Sequence, residues 1–182
     1  MNYSKIRKMD ISNGPGVRVS VFMQGCTFNC KNCFNPETHD FNGGKEFNDE
    51  VINRILDLCD KDYIAGLSIL GGEPMHPKNI LGTTKLVKEF KKRFPSKTVW
   101  AWSGFLFDRD LKDKEVLKYL DVLVDGTYQD ELHSFLLKYC GSSNQRVIDV
   151  PKSLKKNKII LFEENKIVNK ENKKEEKEYA TV

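Results

Sequence analysis

The sequence predicts an α/β fold, a partial and open barrel of β/α units built on a mainly parallel sheet. Short apolar runs rich in Val and Ile alternate with longer segments of helical periodicity, which is the pattern of β-α-β units. The 182 residues provide about five or six such units, fewer than a closed eight-stranded barrel needs. A chain of this length can bury a sizeable core as one domain without disulfides or structural metals.

Five apolar runs have the length and composition of strands. In chain order they are 17–23 (VRVSVFM), 65–70 (AGLSIL), 97–102 (KTVWAW), 121–125 (DVLVD) and 145–150 (QRVIDV). The intervening segments with helical periodicity are 48–61 (NDEVINRILDLCDK), 79–94 (NILGTTKLVKEFKKRF) and 113–120 (DKEVLKYL). In the first of these segments, the apolar side chains from Val51 to Cys59 share one face.

The character of the chain changes from about Lys152 onward. The run KIILF (158–162) fits one more strand, but the last dozen residues carry mixed charge and few apolar side chains. We therefore expect residues 1–165 to form the domain and residues 166–182 to form a disordered charged tail.

Charge and cysteine content restrict the classes of partner. The net charge of +4 comes from 30 Lys and Arg against 26 Asp and Glu, and it is scattered, so we expect no nucleic-acid and no membrane partner. No signal peptide and no apolar run of about 18 residues is visible, which favours a cytoplasmic protein. In a reducing compartment, an odd total of five cysteines indicates a metal or catalytic site.

Each clear strand is followed at once by an unusual loop. These loops are the cysteine-rich stretch QGCTFNCKNCFN (24–35), GGEP (71–74), SGF (103–105) and DGTYQ (125–129). The carboxyl ends of parallel strands emerge on one rim of an α/β sheet, where such folds bind ligands. We expect the four loops to form one site.

The three cysteines of the first loop, Cys26, Cys30 and Cys33, are close enough in sequence to surround one inorganic centre. A zinc-bound interaction module stays open, because a histidine could supply the fourth ligand that zinc needs. A ferredoxin-like electron carrier would need a fourth thiolate from Cys59 or Cys140. A four-iron cluster bound by three thiolates would leave one iron open to an exogenous ligand, as catalysis requires.

These motifs resemble a known superfamily. CTFNCKNC (26–33) is similar to the triple-cysteine motif of radical S-adenosylmethionine enzymes, and GGEP is similar to their segment that contacts the amino group of the methionine moiety. Further segments resemble, in order and spacing, the activating enzymes of class III anaerobic ribonucleoside-triphosphate reductases. They are NGPGVRVSVFMQGC, WAWSGF, DVLVDGTYQ and GSSNQRVIDV, and the resemblance covers about residues 13 to 150.

The resemblance implies a radical S-adenosylmethionine fold, a 4Fe-4S cluster on the three cysteines, and S-adenosylmethionine bound at the open iron. One electron, from a donor such as flavodoxin, would cleave the cofactor to a 5′-deoxyadenosyl radical. That radical would abstract hydrogen from a glycine of the large subunit of the anaerobic ribonucleoside-triphosphate reductase. A sister activase acting on a pyruvate formate-lyase type enzyme would share the cluster and the cleavage.

The resemblance also implies cofactor-binding residues at the strand ends. They are Gly71, Gly72, Glu73, Ser103, Gly104 and Asp125. The two glycines of GGEP would bring the backbone close to the cofactor, and Glu73 would accept a charge-assisted hydrogen bond from an ammonium group. The SGF loop would border the sugar or methionine part, while Asp125 would contact the cofactor or the partner.

Two departures from the family pattern concern the neighbours of these residues. Asn32 stands where many members have an aromatic residue beside the adenine, with Phe34 two positions later. Cys140 stands where Arg is common. Asn144, Gln145 and Arg146 are weaker candidates for a contact with the cofactor or the partner.

Overall fold

A seven-stranded mixed sheet forms the centre of the molecule. The computed structural model describes residues 1–163, so the predicted tail, 166–182, lies outside the described residues. The strands are β1 (Asn2–Asp10), β2 (Val17–Met23), β3 (Lys45–Glu46), β4 (Ile64–Gly71), β5 (Thr98–Ser103), β6 (Val122–Asp125) and β7 (Arg146–Asp149). Their order across the sheet is β3-β1-β2-β4-β5-β6-β7.

The sheet is parallel at its centre and antiparallel at both edges. β2, β4, β5 and β6 pair in parallel, whereas β1 pairs antiparallel with β2 and β3, and β7 pairs antiparallel with β6. The turn between β1 and β2 is too short for a crossover, so these strands can only run antiparallel. The predicted α/β class is confirmed, with parallel pairing confined to the four central strands.

Two of the predicted helices form as expected. They are α1 (Asp49–Cys59) and α2 (Ile80–Arg93), and a short α3 (Val150–Lys156) follows β7. The third predicted helix is instead a 3₁₀ segment, Glu115–Tyr119. Its side chains Val116 and Leu117 are buried all the same.

The ends of the chain differ most from the sequence-based expectation. β1 was not predicted, because its sequence NYSKIRKMD is rich in charged side chains and only Tyr3 and Asp10 are buried. Val150 begins α3 and does not extend the preceding strand, since the side chain of Asp149 accepts a hydrogen bond from the Lys152 N–H (3.0 Å). KIILF pairs only through an isolated bridge between Leu161 and Ile148.

The two faces of the sheet have different coverings. One face packs against the helices and forms the larger hydrophobic core, which includes Ile55, Leu86 and Phe90. On the other face, a smaller cluster contains Trp100, Val122, Val124 and Val147. The carboxyl ends of the central strands carry the loops of the candidate site. Within residues 1–163, no helix is long and apolar enough to cross a membrane.

Arg18 is a buried cation on this second face. Its guanidinium donates to the Ser68 hydroxyl (2.7 Å), the Thr98 hydroxyl (2.9 Å) and the carbonyl oxygens of Leu67 (2.8 Å) and Thr98 (3.0 Å), and lies over the Trp100 ring. Burial lowers the pKa of Arg18 to about 10. These hydrogen bonds link β2 to β4 and β5 below the site.

Candidate functional site

A pocket of about 540 Å³ opens at the carboxyl ends of the central strands. All four predicted loops contribute to its wall, so the expectation that they meet at one rim is confirmed. The three clustered cysteines line the pocket together with five of the six predicted cofactor-binding residues. Those five are Gly71, Gly72, Glu73, Ser103 and Gly104.

The cysteine loop leaves β2 and wraps back on itself. Asn29 and Asn32 adopt left-handed backbone conformations, which Asn tolerates better than most side chains. The N–H of Cys33 donates to the Cys30 carbonyl (3.2 Å). Cys26, Cys30 and Cys33 are half-buried free thiols that all face the same pocket.

The three thiols are a donor set that suits an iron–sulfur cluster. In residues 1–163, no three His, Cys, Asp or Glu side chains converge closely enough to hold one ion. A cubane cluster is bound at its corners, so its ligand sulfurs stand further apart than those around zinc. The three soft thiols lie on one loop and face a pocket that has room beside them.

The apoprotein thiols should react slowly. Burial raises the pKa of the Cys26 and Cys30 thiols above the usual value, with nearby Glu73 acting in the same direction. Only the thiolate reacts with iodoacetamide, so at pH 8 both cysteines should be alkylated more slowly in the folded apoprotein than in the urea-unfolded chain. Mass spectrometry of the loop peptide measures both rates. Equal rates in the two states would contradict the prediction.

The two glycines of GGEP are required by close backbone packing. Gly71 has φ +102°, and a Cβ there would lie 2.8 Å from the Met23 nitrogen. A Cβ on Gly72 would lie 2.6 Å from the Gly25 carbonyl oxygen. Gly71 therefore lets β4 lie close to the end of β2, and Gly72 lets the chain after β4 lie close to the start of the cysteine loop.

Glu73 is buried in the pocket wall, with 1% of its surface exposed. Its carboxylate accepts hydrogen bonds from the Ser103 hydroxyl (2.8 Å), the Gly104 N–H (2.7 Å) and the Met75 N–H (2.8 Å). Burial outweighs these donors and raises the pKa of Glu73 to about 7. The predicted acceptor for an ammonium group thus also holds the loop after β5 in place.

Asp125 lies outside the pocket lining. Its fully buried carboxylate forms two hydrogen bonds with Arg146, from Nε (2.8 Å) and from Nη2 (2.6 Å), and accepts a third from the Phe107 N–H (2.7 Å). Arg146 also donates to the exposed Asp108 (2.8 Å), and these carboxylates raise the pKa of the guanidinium. In this arrangement the pair joins the ends of β6 and β7 to the segment after β5.

Aromatic rings surround the mouth of the pocket. Phe34 packs on Tyr128 with ring centroids 5.0 Å apart, and both line the pocket. Asn32, at the position where many relatives of this motif have an aromatic residue, donates instead to the Asp130 carboxylate (2.7 Å), which also accepts from the Tyr128 hydroxyl (2.9 Å). Within the cysteine loop, the rings of Phe28 and Phe34 line the pocket.

The segment before β7 completes the wall. Cys140 and Gln145 line the pocket, and Gln145 donates to the Gly126 carbonyl (2.9 Å) while accepting from the Gly141 N–H (2.8 Å). Asn144 donates to the Thr127 carbonyl (2.9 Å). These polar side chains thereby organise the loop after β6.

Sequence reasoning did not identify Gln24 and Asn79, two buried amide side chains that hold the cysteine loop. Gln24 donates to the Glu37 carbonyl (3.0 Å) and the Asp40 carbonyl (2.8 Å), which ties the start of the loop to its return path. Asn79 looks in the sequence like an ordinary residue at the start of a helix. The one feature of the sequence that could have identified these two amides is that each lies in or close to a predicted site loop.

Comparison with known proteins agrees with the geometry. Residues 12–148 match the family described as "4Fe-4S single cluster domain". The chain is 40% identical over 147 residues to the anaerobic ribonucleoside-triphosphate reductase-activating protein of Enterobacteria phage T4, covering 81% of this chain and 93% of that protein. Proteins of the same name are 38% identical in Vibrio cholerae (80% and 96% covered) and 37% identical in Escherichia coli K12 (81% and 97% covered). The chain belongs to the family of anaerobic ribonucleoside-triphosphate reductase-activating proteins.

Proposed function

We propose that the protein is a glycyl-radical activase of the anaerobic ribonucleoside-triphosphate reductase. When bound, a 4Fe-4S cluster and S-adenosylmethionine would supply a 5′-deoxyadenosyl radical that takes hydrogen from a glycine of the reductase large subunit. The observation that carries the proposal is the convergence of three cysteines, GGEP and SGF on one pocket. The names of the relatives support the identity of the partner.

In this proposal, Cys26, Cys30 and Cys33 would hold the cluster, and one iron without a protein ligand would bind S-adenosylmethionine. The pocket beside the three thiols gives that ligand room. Exchangeable protons on the thiols must leave before the metal binds, so the raised pKa values of Cys26 and Cys30 oppose loading at low pH.

The strand ends would hold the methionine part of the cofactor. Gly71 and Gly72 place bare backbone at the pocket wall, and Glu73 would offer a buried carboxylate to the ammonium group. Ser103 and Gly104, both bonded to Glu73, would border the sugar or methionine part. The proposed role of Asp125 is contact with the cofactor or the partner. In this structure, its ion pair supports the rim.

Apolar side chains would exclude water from the reacting atoms. Phe22, Leu70 and Trp102 line the pocket from the strand surfaces below the loops, and the first two are almost fully buried. A dry wall strengthens electrostatic contacts and protects a reactive species from solvent.

We further propose that the sheet is the partial barrel of radical S-adenosylmethionine enzymes, with the domain at residues 1–165 and a separate tail at 166–182. An open barrel would admit a glycine-bearing loop of a protein substrate. A one-electron donor such as flavodoxin would reduce the cluster. We also propose a cytoplasmic location. The scattered charge of the chain is the argument against a nucleic-acid or membrane partner.

The test is anaerobic reconstitution with iron and sulfide, followed by a strong reductant and S-adenosylmethionine. We expect 5′-deoxyadenosine and methionine by chromatography, and a glycyl radical on the reductase by electron paramagnetic resonance. A radical formed only on a pyruvate formate-lyase type enzyme would favour the sister activase. A colourless protein with stoichiometric zinc and no acid-labile sulfide would overturn the proposal in favour of a zinc module.

A further inference from the structure

Asn79 lies where three segments of the site meet. It is 1% exposed, and its side-chain nitrogen donates to the carbonyl oxygens of Gln24 (2.9 Å), Gly25 (3.4 Å) and Glu73 (3.0 Å). Because all three partners are carbonyl oxygens, the amide nitrogen must face them. One side chain thus joins the residues that precede Cys26 to the acidic residue of GGEP.

The same residue stands at the start of α2, where an Asn side chain normally caps the helix. Asn79 makes no side-chain cap hydrogen bond, whereas Asn48, at the equivalent position of α1, accepts from the Val51 N–H (3.2 Å). The amide of Asn79 is therefore used between the loops instead of on its own helix.

The neighbouring contacts leave little freedom at this junction. The N–H of Glu73 donates to the Gly25 carbonyl (2.8 Å), and the N–H of Gly72 donates to the Met23 carbonyl (2.8 Å). The Gly25 carbonyl thus receives both a backbone donor and the Asn79 amide. A change at Asn79 would remove the side-chain link between the segment before Cys26 and the GGEP segment, which these backbone hydrogen bonds also join.

We infer that Asn79 is a positioning residue that holds the cysteine loop and the Gly71–Glu73 segment at the separation needed to bind one ligand between them. The part of this inference that concerns ligand binding rests on the proposed function, because S-adenosylmethionine would have to contact both segments at once. The part that concerns the position of the two segments applies to the apoprotein, and it can be tested without any cofactor.

The discriminating variant is Asn79→Asp. Asp is at least as good as Asn at a helix N-terminus, where its negative charge is favourable, so a capping role would leave this variant close to wild type. A positioning role predicts the opposite, because a carboxylate would face three carbonyl oxygens without a proton to donate. Asn79→Ala removes the donor without adding charge, so its effect should be smaller than that of Asn79→Asp. Asn48→Asp is the matched control at the helix where the Asn does cap.

The first measurement is hydrogen–deuterium exchange of the apoprotein, followed by mass spectrometry. We expect the amides of 71–75 to exchange at least tenfold faster in Asn79→Asp than in the wild type, with α2 still protected and Asn48→Asp unchanged at these amides. Wild-type exchange at 71–75 in Asn79→Asp would overturn the inference. Loss of protection in α2 alone would also overturn it, since that is the signature of a cap. If Asn79→Asp does not fold, the exchange of the amides of 71–75 and the protection of α2 are measured in Asn79→Ala and interpreted in the same way.

The second measurement is equilibrium dialysis of S-adenosylmethionine with the reconstituted proteins. Asn79→Asp should retain iron and sulfide but bind the cofactor at least tenfold more weakly than Asn48→Asp. If the wild type binds no S-adenosylmethionine, the proposed function fails while the exchange result still decides the role of Asn79. If the wild type binds and Asn79→Asp binds equally well, the inference fails and the proposed function stands.

Discussion

Cys30→Ala is expected to abolish both the iron–sulfur cluster and the cleavage of S-adenosylmethionine. Cys30 is the middle one of the three loop cysteines that line the pocket. Its loss would leave two thiols, Cys26 and Cys33, on that loop. Four-iron clusters depend on their thiolates, so two would not retain one. Iron, acid-labile sulfide and 5′-deoxyadenosine after anaerobic reconstitution measure the loss.

Two other cysteines provide the controls. Cys59 is fully buried on α1, away from the pocket lining, and burial raises the pKa of its thiol to about 12 although Lys97 and Arg18 act to lower it. Cys59→Ala should therefore keep both cluster and activity. Cys140 lines the pocket, and Cys140→Ala tests whether the protein is a four-thiolate electron carrier. Loss of the cluster in Cys140→Ala would favour that carrier. Full cofactor cleavage by Cys30→Ala would overturn the ligand assignment.

Arg146→Met is expected to lower the free energy of unfolding by about 3–5 kcal/mol. The Asp125 carboxylate is fully buried, and Arg146 supplies two of its three hydrogen bonds, so the substitution would leave a buried charge with only the Phe107 N–H. Removing one partner of a buried ion pair costs far more than the pair contributes. Urea unfolding followed by circular dichroism gives the difference.

Asp108→Asn is the matched control for this ion pair. Asp108 contacts the same guanidinium at 2.8 Å, but about half of its side chain is exposed. Exposed ion pairs contribute about 0–1 kcal/mol, so the control should remain within that range. If Arg146→Met and Asp108→Asn lowered the free energy of unfolding equally, the burial of Asp125 would not explain the loss in Arg146→Met.

The sequence predicts the central strands and the edge strand β7 well, and the opposite edge of the sheet, β1 and β3, poorly. β2, β4 and β5 are apolar runs that are buried along most of their length, and α1 and α2 have one apolar face, so composition and periodicity identify them. β1 and β3 carry charged side chains and depend on their neighbours for pairing, which no local pattern reveals. The 3₁₀ segment has a burial pattern that also fits an α-helix.

The candidate site was also predicted only in part. Its rim could be predicted because unusual loops follow successive strands, and parallel strands bring their carboxyl ends together. The contacts that organise the rim could not be predicted, because they join residues far apart in the chain. Asn79 and Gln24 are 55 residues apart, and Glu73 and Ser103 are 30 residues apart. Whether a buried amide caps its own helix or reaches another loop depends on the tertiary fold.

The long reach of these contacts has a consequence for biosynthesis. Asn32 is held by Asp130, 98 residues later, and the Glu73 carboxylate is held by donors at Ser103 and Gly104. A nascent chain that has just emerged through Cys33 carries all three thiols but none of these partners. Ser103, Gly104 and Asp130 must therefore leave the ribosome before these hydrogen bonds can form, so the loop reaches its final contacts only after most of the chain has been synthesised.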